Sequence, residues 1–114
     1  MSTALFRRSF FAFHYILGLG ILCLSVRTVM WAVRPEAGHH GHHAVVLASV
    51  EAIGALLFLV PQTLRVGAAL LLLTIGVAGV VHTFAGEWRI DLLIYAAGVW
   101  LVAAHRLDAA ASAP

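Results

Sequence analysis

Four long apolar stretches, separated by short polar segments, dominate the hydrophobic pattern of the chain. They cover about residues 10–33, 44–60, 65–84 and 88–105. A helix that crosses a membrane needs roughly 20 mainly apolar residues, and each stretch approaches that length. Membrane-spanning strands would instead show short segments of alternating apolar and polar residues. The pattern therefore predicts an all-α integral membrane protein with four helices.

The links between the predicted helices are short, and the longest covers residues 34–43. Pro61 marks the end of the second helix, because proline cannot continue a helix. Since short links place consecutive helices side by side in opposite directions, we predict an up-down-up-down four-helix bundle. The bundle forms a single domain over residues 10–105, preceded by a cytoplasmic segment at 1–9 and followed by a frayed tail at 106–114.

The composition excludes several classes of protein. Hydrophobic residues make up 62% of the chain and charged residues only 11%, whereas a soluble domain carries roughly 25% charged residues. The single cysteine excludes a disulfide framework within the chain and a zinc site of paired cysteines. All seven basic residues are arginines, and they form no basic run or helix face of the kind that binds nucleic acid.

The arginines near the ends of the predicted spans indicate an orientation. One side of the bundle carries Arg7, Arg8, Arg65 and Arg106, and the other carries Arg34 and Arg89. Because positive charge accumulates on the cytoplasmic side of membrane proteins, we predict that both termini are cytoplasmic and that residues 34–43 lie outside. We expect the membrane to be a bacterial inner membrane.

Ionisable side chains within the predicted spans are the first functional candidates, because a charge at the bilayer centre costs about 2.5–3.5 kcal/mol on insertion scales. Arg27 and Glu51 lie at similar depth, where a salt bridge would offset much of that cost. His82, Asp91 and Tyr95 fall in the same layer, and small neighbours place all of them on faces that meet other helices. We predict a polar chamber formed by Arg27, Glu51, His82, Asp91 and Tyr95. It could be a structural network, or a site for a ligand, a quinone or a proton.

Histidines suggest two further sites. The segment Gly38-His-His-Gly-His-His43 could capture copper, zinc or nickel through His39, His40, His42 and His43, since imidazole binds these metals. A flexible polar link is the alternative, because the segment has no fixed ligand spacing. His14 and His105 lie near the cytoplasmic ends of their helices and could ligate a haem b. Unrelated histidines at a membrane interface would look the same.

Residues 44–105 resemble the DoxX-like family of small four-helix membrane proteins. The residues that carry the resemblance are Glu51-Ala-Ile-Gly54, Pro61, Arg65, Gly67 with the leucines after it, and Ala78-x-x-x-His82. The resemblance implies a four-helix bundle in which Glu51 and His82 are the shared polar positions. It also implies a link to quinone-coupled oxidation of sulfur compounds and to membrane oxidoreductase complexes. The first helix departs from the family, with Arg27, Thr28 and Trp31 where a glycine and a lysine are frequent.

These observations leave several functions open. The first is an accessory subunit of a quinone-associated oxidoreductase complex, in which Glu51 and His82 handle protons and a partner subunit carries the electrons. Quinone carbonyls need hydrogen-bond donors, which His82, Arg27 or Tyr95 could supply. The alternatives are a proton-coupled small transporter that acts as a dimer, a structural or assembly subunit, and a His-rich metal-capture protein. The expected partners are the lipid bilayer and either other membrane subunits or further copies of the chain.

Overall fold

The computed structural model describes residues 3–35 and 38–112, of which residues 39, 40, 107 and 109–112 are described by their backbone alone. Its helices are α1 (Thr3–Ala32), α2 (Gly38–Leu59), α3 (Leu64–Phe84) and α4 (Ile90–Ser112), and a single 3-10 turn at Pro61–Thr63 joins α2 to α3. Every regular element in these ranges is helical. The predicted all-α fold with four helices is confirmed.

Three segments within the described residues are long and apolar enough to cross a membrane: Thr3–Ala32, Gly41–Leu59 and Pro61–Phe84. Their outward faces carry many exposed large apolar side chains, among them Ile16, Met30 and Leu73. A soluble protein rarely exposes contiguous apolar surface on this scale. The structure is therefore compatible with an integral membrane protein.

The helices extend beyond the predicted spans. α1 begins at Thr3 and α4 continues to Ser112, so the expected frayed tail is helical over most of its length. Helix-breaking residues do not occur in the described parts of either end, and the alanines after Asp108 favour helix. α2 begins at Gly38 rather than after the histidines, which corrects the expectation of a flexible link there.

The helix ends follow from local hydrogen bonding. α3 ends before Gly86, whose φ of +82° lies in the left-handed region that favours glycine. The backbone N–H groups of Gly86 and Glu87 donate to the carbonyls of Thr83 and His82. After α2, the Thr63 hydroxyl donates to the Leu57 carbonyl at 2.8 Å. These bonds satisfy carbonyls that a helix terminus leaves without partners.

The core lies where α2 meets both of its neighbours. Phe58 of α2 is fully buried, and it contacts α1 near Gly18 and α3 at Gly67. A Cβ atom at Gly67 would lie 2.6 Å from the Phe58 Cα atom, so α2 and α3 are in backbone contact there. On the other side, Gly98 of α4 faces the Leu17 side chain of α1. Glycines thus allow the closest approaches between helices, as is common in membrane proteins.

We predict that Gly67→Ala lowers the free energy of unfolding by about 1–3 kcal/mol, because the added methyl group meets backbone rather than a mobile side chain. The matched control is Gly76→Ala on the same helix, where a Cβ atom would have no neighbour within 4 Å. The control should be neutral or raise stability by up to about 1 kcal/mol through helix propensity. Unfolding in detergent, followed by circular dichroism, measures both. Equal effects of the two variants would contradict the close contact.

Candidate functional site

A cavity of about 430 Å³ lies between the helices near the ends at which α1 and α3 finish and α2 and α4 begin. All four helices and the link between α3 and α4 contribute to it. Its polar lining residues are Ser25, Thr28, Glu51, His82, Arg89, Asp91 and Tyr95. The remaining wall is mainly apolar and includes Trp31, Leu47 and Ile75. A mainly apolar cavity with a few converging polar groups is typical of a small-molecule site.

The innermost polar contact of this cavity joins α1 to α2. Ser25 is 2% exposed, and its Oγ lies 2.9 Å from Glu51 Oε1 and 2.8 Å from the carbonyl oxygen of Ile21. Ser25 faces α2 because it continues the buried stripe of α1 through Gly18 and Ile21, whose spacing matches one face of a helix. Glu51 is partly buried and borders the cavity.

Charged residues surround the cavity where α3 passes into α4. Arg89 donates two hydrogen bonds to Asp91, from Nε at 2.9 Å and from Nη2 at 2.8 Å. Arginine stays charged in proteins, so Arg89 and Asp91 form an ion pair. His82 Nδ1 lies 3.1 Å from Glu87 Oε2, and the other ring nitrogen of His82 is 3.5 Å from Arg89 Nη1. This arrangement pairs the Arg89 charge with a carboxylate.

The cavity brings together four of the five residues of the predicted chamber, namely Glu51, His82, Asp91 and Tyr95. Arg27 does not line it. Its side chain is exposed, and within the described residues Glu51 contacts Ser25 rather than Arg27. The helical repeat explains why Arg27 lies outside the cavity. Residues two apart point to nearly opposite sides of a helix, so Ser25 and Arg27 cannot both face α2.

Three polar residues that line the cavity, Ser25, Thr28 and Arg89, were not part of the predicted chamber. Ser25 is uncharged, so it was not among the ionisable side chains from which the chamber was predicted. Arg89 precedes Asp91 by two residues at a helix start, a spacing that could have indicated the observed ion pair.

An apolar groove of about 770 Å³ adjoins the cavity along α2 and α3. The groove and the cavity share four lining residues: Ala44, Leu47, Ala78 and His82. The rest of the groove is largely apolar and includes Val50, Leu73 and Val77. An amphipathic molecule could therefore place a polar end in the cavity and an apolar chain in the groove.

A second polar cluster lies at the opposite end of the bundle, around His14. His14 is 1% exposed, and its Nε2 lies 2.9 Å from the Phe58 carbonyl while Arg106 Nη2 lies 3.1 Å from Nδ1. Arginine can only donate, so Nδ1 accepts from Arg106, and Nε2 carries a hydrogen that it donates to the Phe58 carbonyl oxygen. Phe58 lies in the last turn of α2, where carbonyls lack helical partners. His14 thus caps α2 from α1.

The predicted ligation of a haem b by His14 and His105 would require a free ring nitrogen on His14. Both ring nitrogens of His14 are engaged, so neither is free to ligate an iron in this arrangement. His105 packs its ring against Phe10, with centroids 4.2 Å apart. Arg106 lies over the Phe11 ring at 4.0 Å. These contacts describe a packed junction of α1, α2 and α4.

The histidines at the start of α2 are separated by the helix. His42 lines a space beside Arg34 and Pro35, whereas His43 lines the apolar groove. The side chains of His39 and His40 lie outside the described set. Among the described residues, groups of three or more His, Cys, Asp or Glu side chains that could hold a metal do not occur.

Comparison with known proteins adds no relative: no family model, curated protein or solved structure matches the chain. The cavity and its side chains are therefore the basis on which a function can be argued. The DoxX-like resemblance remains an expectation from the sequence.

We predict that His14→Leu lowers the free energy of unfolding by about 1–3 kcal/mol, because it leaves the Phe58 carbonyl and Arg106 without their hydrogen-bond partner. The control is Tyr15→Phe, which keeps the ring stacked on His14 with centroids 5.3 Å apart and should change stability little. Unfolding in detergent again provides the measurement. A His14→Leu variant as stable as the control would show that the cap is unimportant.

Proposed function

We propose that the chain is an integral membrane protein whose four helices alternate in direction across a bacterial inner membrane, with both termini cytoplasmic. Contacts between α1 and α2 support the alternation, since they pair early residues of one with late residues of the other. His14 meets Phe58, whereas Ser25 meets Glu51. The three long apolar segments support insertion, and the arginine distribution supports the orientation.

Alkaline phosphatase fusions test this topology, because the enzyme is active only outside the cytoplasm. A fusion after Gly38 should be active, whereas fusions after Thr63 and after Pro114 should be inactive at equal expression. Active fusions after Thr63 and Pro114 with an inactive one after Gly38 would reverse the orientation. Equal activity at all three positions would contradict alternating helices.

We further propose that the cavity binds the head group of a membrane quinone and that the protein is an accessory subunit of a quinone-associated oxidoreductase complex. The observation that carries this proposal is the cavity of about 430 Å³, in which polar groups converge and which adjoins an apolar groove. A quinone likewise has a polar part and an apolar part: its flat ring carries two carbonyl acceptors, and its tail is apolar. The DoxX-like resemblance favours the same ligand.

Tyr95 is the residue best suited to bind a quinone carbonyl. Its hydroxyl makes no hydrogen bond to any other described residue, and its side chain lines the cavity. The hydroxyl of Thr28, by contrast, already donates to the Leu24 carbonyl at 2.9 Å. Trp31 of α1 also lines the cavity, and an aromatic side chain there can pack against a quinone ring. A redox role as a subunit requires a partner that carries electrons, while this chain binds and orients the quinone.

Quenching of Trp31 fluorescence tests quinone binding. In a Trp88→Phe, Trp100→Phe background, a short-chain benzoquinone should quench Trp31 saturably in detergent or nanodiscs. Tyr95→Phe should weaken binding about 2- to 10-fold, since a hydrogen bond contributes about 0.5–1.5 kcal/mol. Tyr15→Phe, the same change outside the cavity, should leave the affinity unchanged.

Two results would contradict this proposal. Linear, non-saturable quenching would mean that the quinone merely partitions into the detergent or lipid. An equal loss of affinity in Tyr95→Phe and Tyr15→Phe would mean that the quinone does not bind in the cavity. Purification in mild detergent at native expression tests the subunit role, because a stoichiometric haem, flavin or iron–sulfur partner is expected. A colourless preparation without partner proteins would argue against it.

A further inference from the structure

If Glu51 is ionised, the contact between Ser25 and Glu51 leaves a single hydrogen to be shared between two acceptors. The Ser25 hydroxyl has a single hydrogen to donate, yet its Oγ is 2.8 Å from the Ile21 carbonyl oxygen and 2.9 Å from Glu51 Oε1. A carbonyl and a carboxylate are both acceptors. The backbone carbonyl cannot carry a proton, so a second hydrogen can come only from the carboxyl group of Glu51.

Among the described residues that line the cavity, the one arginine is already paired with a carboxylate. Arg89, the arginine that borders the cavity, gives two hydrogen bonds to Asp91, and Arg27 is exposed outside it. The other titratable groups that face the cavity are His82 from α3 and Asp91 and Tyr95 from α4, and α1 contributes only uncharged residues.

We propose that Glu51 is a proton-binding site, in which a neutral carboxylic acid on α2 donates its hydrogen bond to Ser25 Oγ while Ser25 donates to the Ile21 carbonyl. Loss of the proton breaks the carboxyl O–H bond and leaves a carboxylate, to which the Ser25 hydroxyl then turns. The proton is released to water or to another acceptor in the cavity. Ser25 is a positioning residue that reports the protonation state of Glu51. This proposal is independent of quinone binding.

Carbon-13 labelling of the glutamate side-chain carboxyls tests the proposal in the intact protein. The chain contains three glutamates, Glu36, Glu51 and Glu87, and a free glutamate with a pKa of about 4.3 is ionised at neutral pH. At about pH 7, the infrared spectrum of the labelled protein should contain a carboxylic acid band that shifts in D2O. The band should be absent in Glu51→Gln and unchanged in Glu87→Gln, the matched control on the exposed link.

Ser25→Ala separates the role of the hydroxyl from that of the proton. Because the variant removes the acceptor of the Glu51 hydrogen bond, the band should persist and move to higher frequency. Loss of the band in Ser25→Ala, or its survival in Glu51→Gln, would overturn the assignment. Glu51→Gln retains an N–H donor for Ser25, so it should fold, and circular dichroism checks this.

Nuclear magnetic resonance of the same labelled wild-type protein needs no variant. At about pH 7, two of the three carboxyl signals should have the chemical shift of ionised glutamate, while the third has that of the acid. Three ionised signals at this pH would overturn the proposal.

Discussion

The close packing of α1 and α3 around Phe58 of α2 is the constraint on which the rest of the bundle depends. The Phe58 backbone is in contact with α3 at Gly67, and the Phe58 ring packs edge-on against His14, with centroids 4.6 Å apart. Its carbonyl receives the His14 hydrogen bond. One residue thereby fixes the distance and the rotation of both neighbouring helices. Any side chain at Gly67, or loss of the His14 ring, acts on the same junction, so the two perturbations should not be energetically independent.

This tight junction contrasts with the opposite end of the bundle, where the helices enclose the cavity instead of a filled core. There the contact between α1 and α2 consists of the polar pair Ser25 and Glu51. An apolar pair would pack more closely but would offer no group that exchanges a proton or binds a polar ligand. Buried polar groups are costly unless they are hydrogen-bonded, and the two Ser25 contacts satisfy this requirement locally. Close packing at one end therefore supports an open, polar arrangement at the other.

The sequence was sufficient for the class of fold, because the length and apolar character of each stretch determine four helices without reference to packing. Four of the residues that the sequence grouped by their distances from the helix ends, Glu51, His82, Asp91 and Tyr95, line one cavity. Arg27 does not line that cavity, because depth does not determine the direction in which a side chain points around the helix axis, and the small neighbours of Arg27 did not indicate it. The rotation of α1 about its own axis depends on which of its sides faces Phe58, and Phe58 is distant from α1 in the sequence. The helical histidine segment was missed because its glycines indicated a link, whereas Gly38 begins the helix.

The position of Arg27 explains how the cavity remains open. A pairing of Arg27 with Glu51 would have filled the space between α1 and α2 with a long side chain and would have held Glu51 as a carboxylate. Arginine has a long apolar stem that can extend its charge by several residues toward a helix end, so α1 can turn this residue outward at small cost. Glutamate is too short to do the same. Its remaining means of avoiding a buried charge are a hydrogen-bonded neutral acid or a cationic ligand, and both keep Glu51 available to whatever enters the cavity.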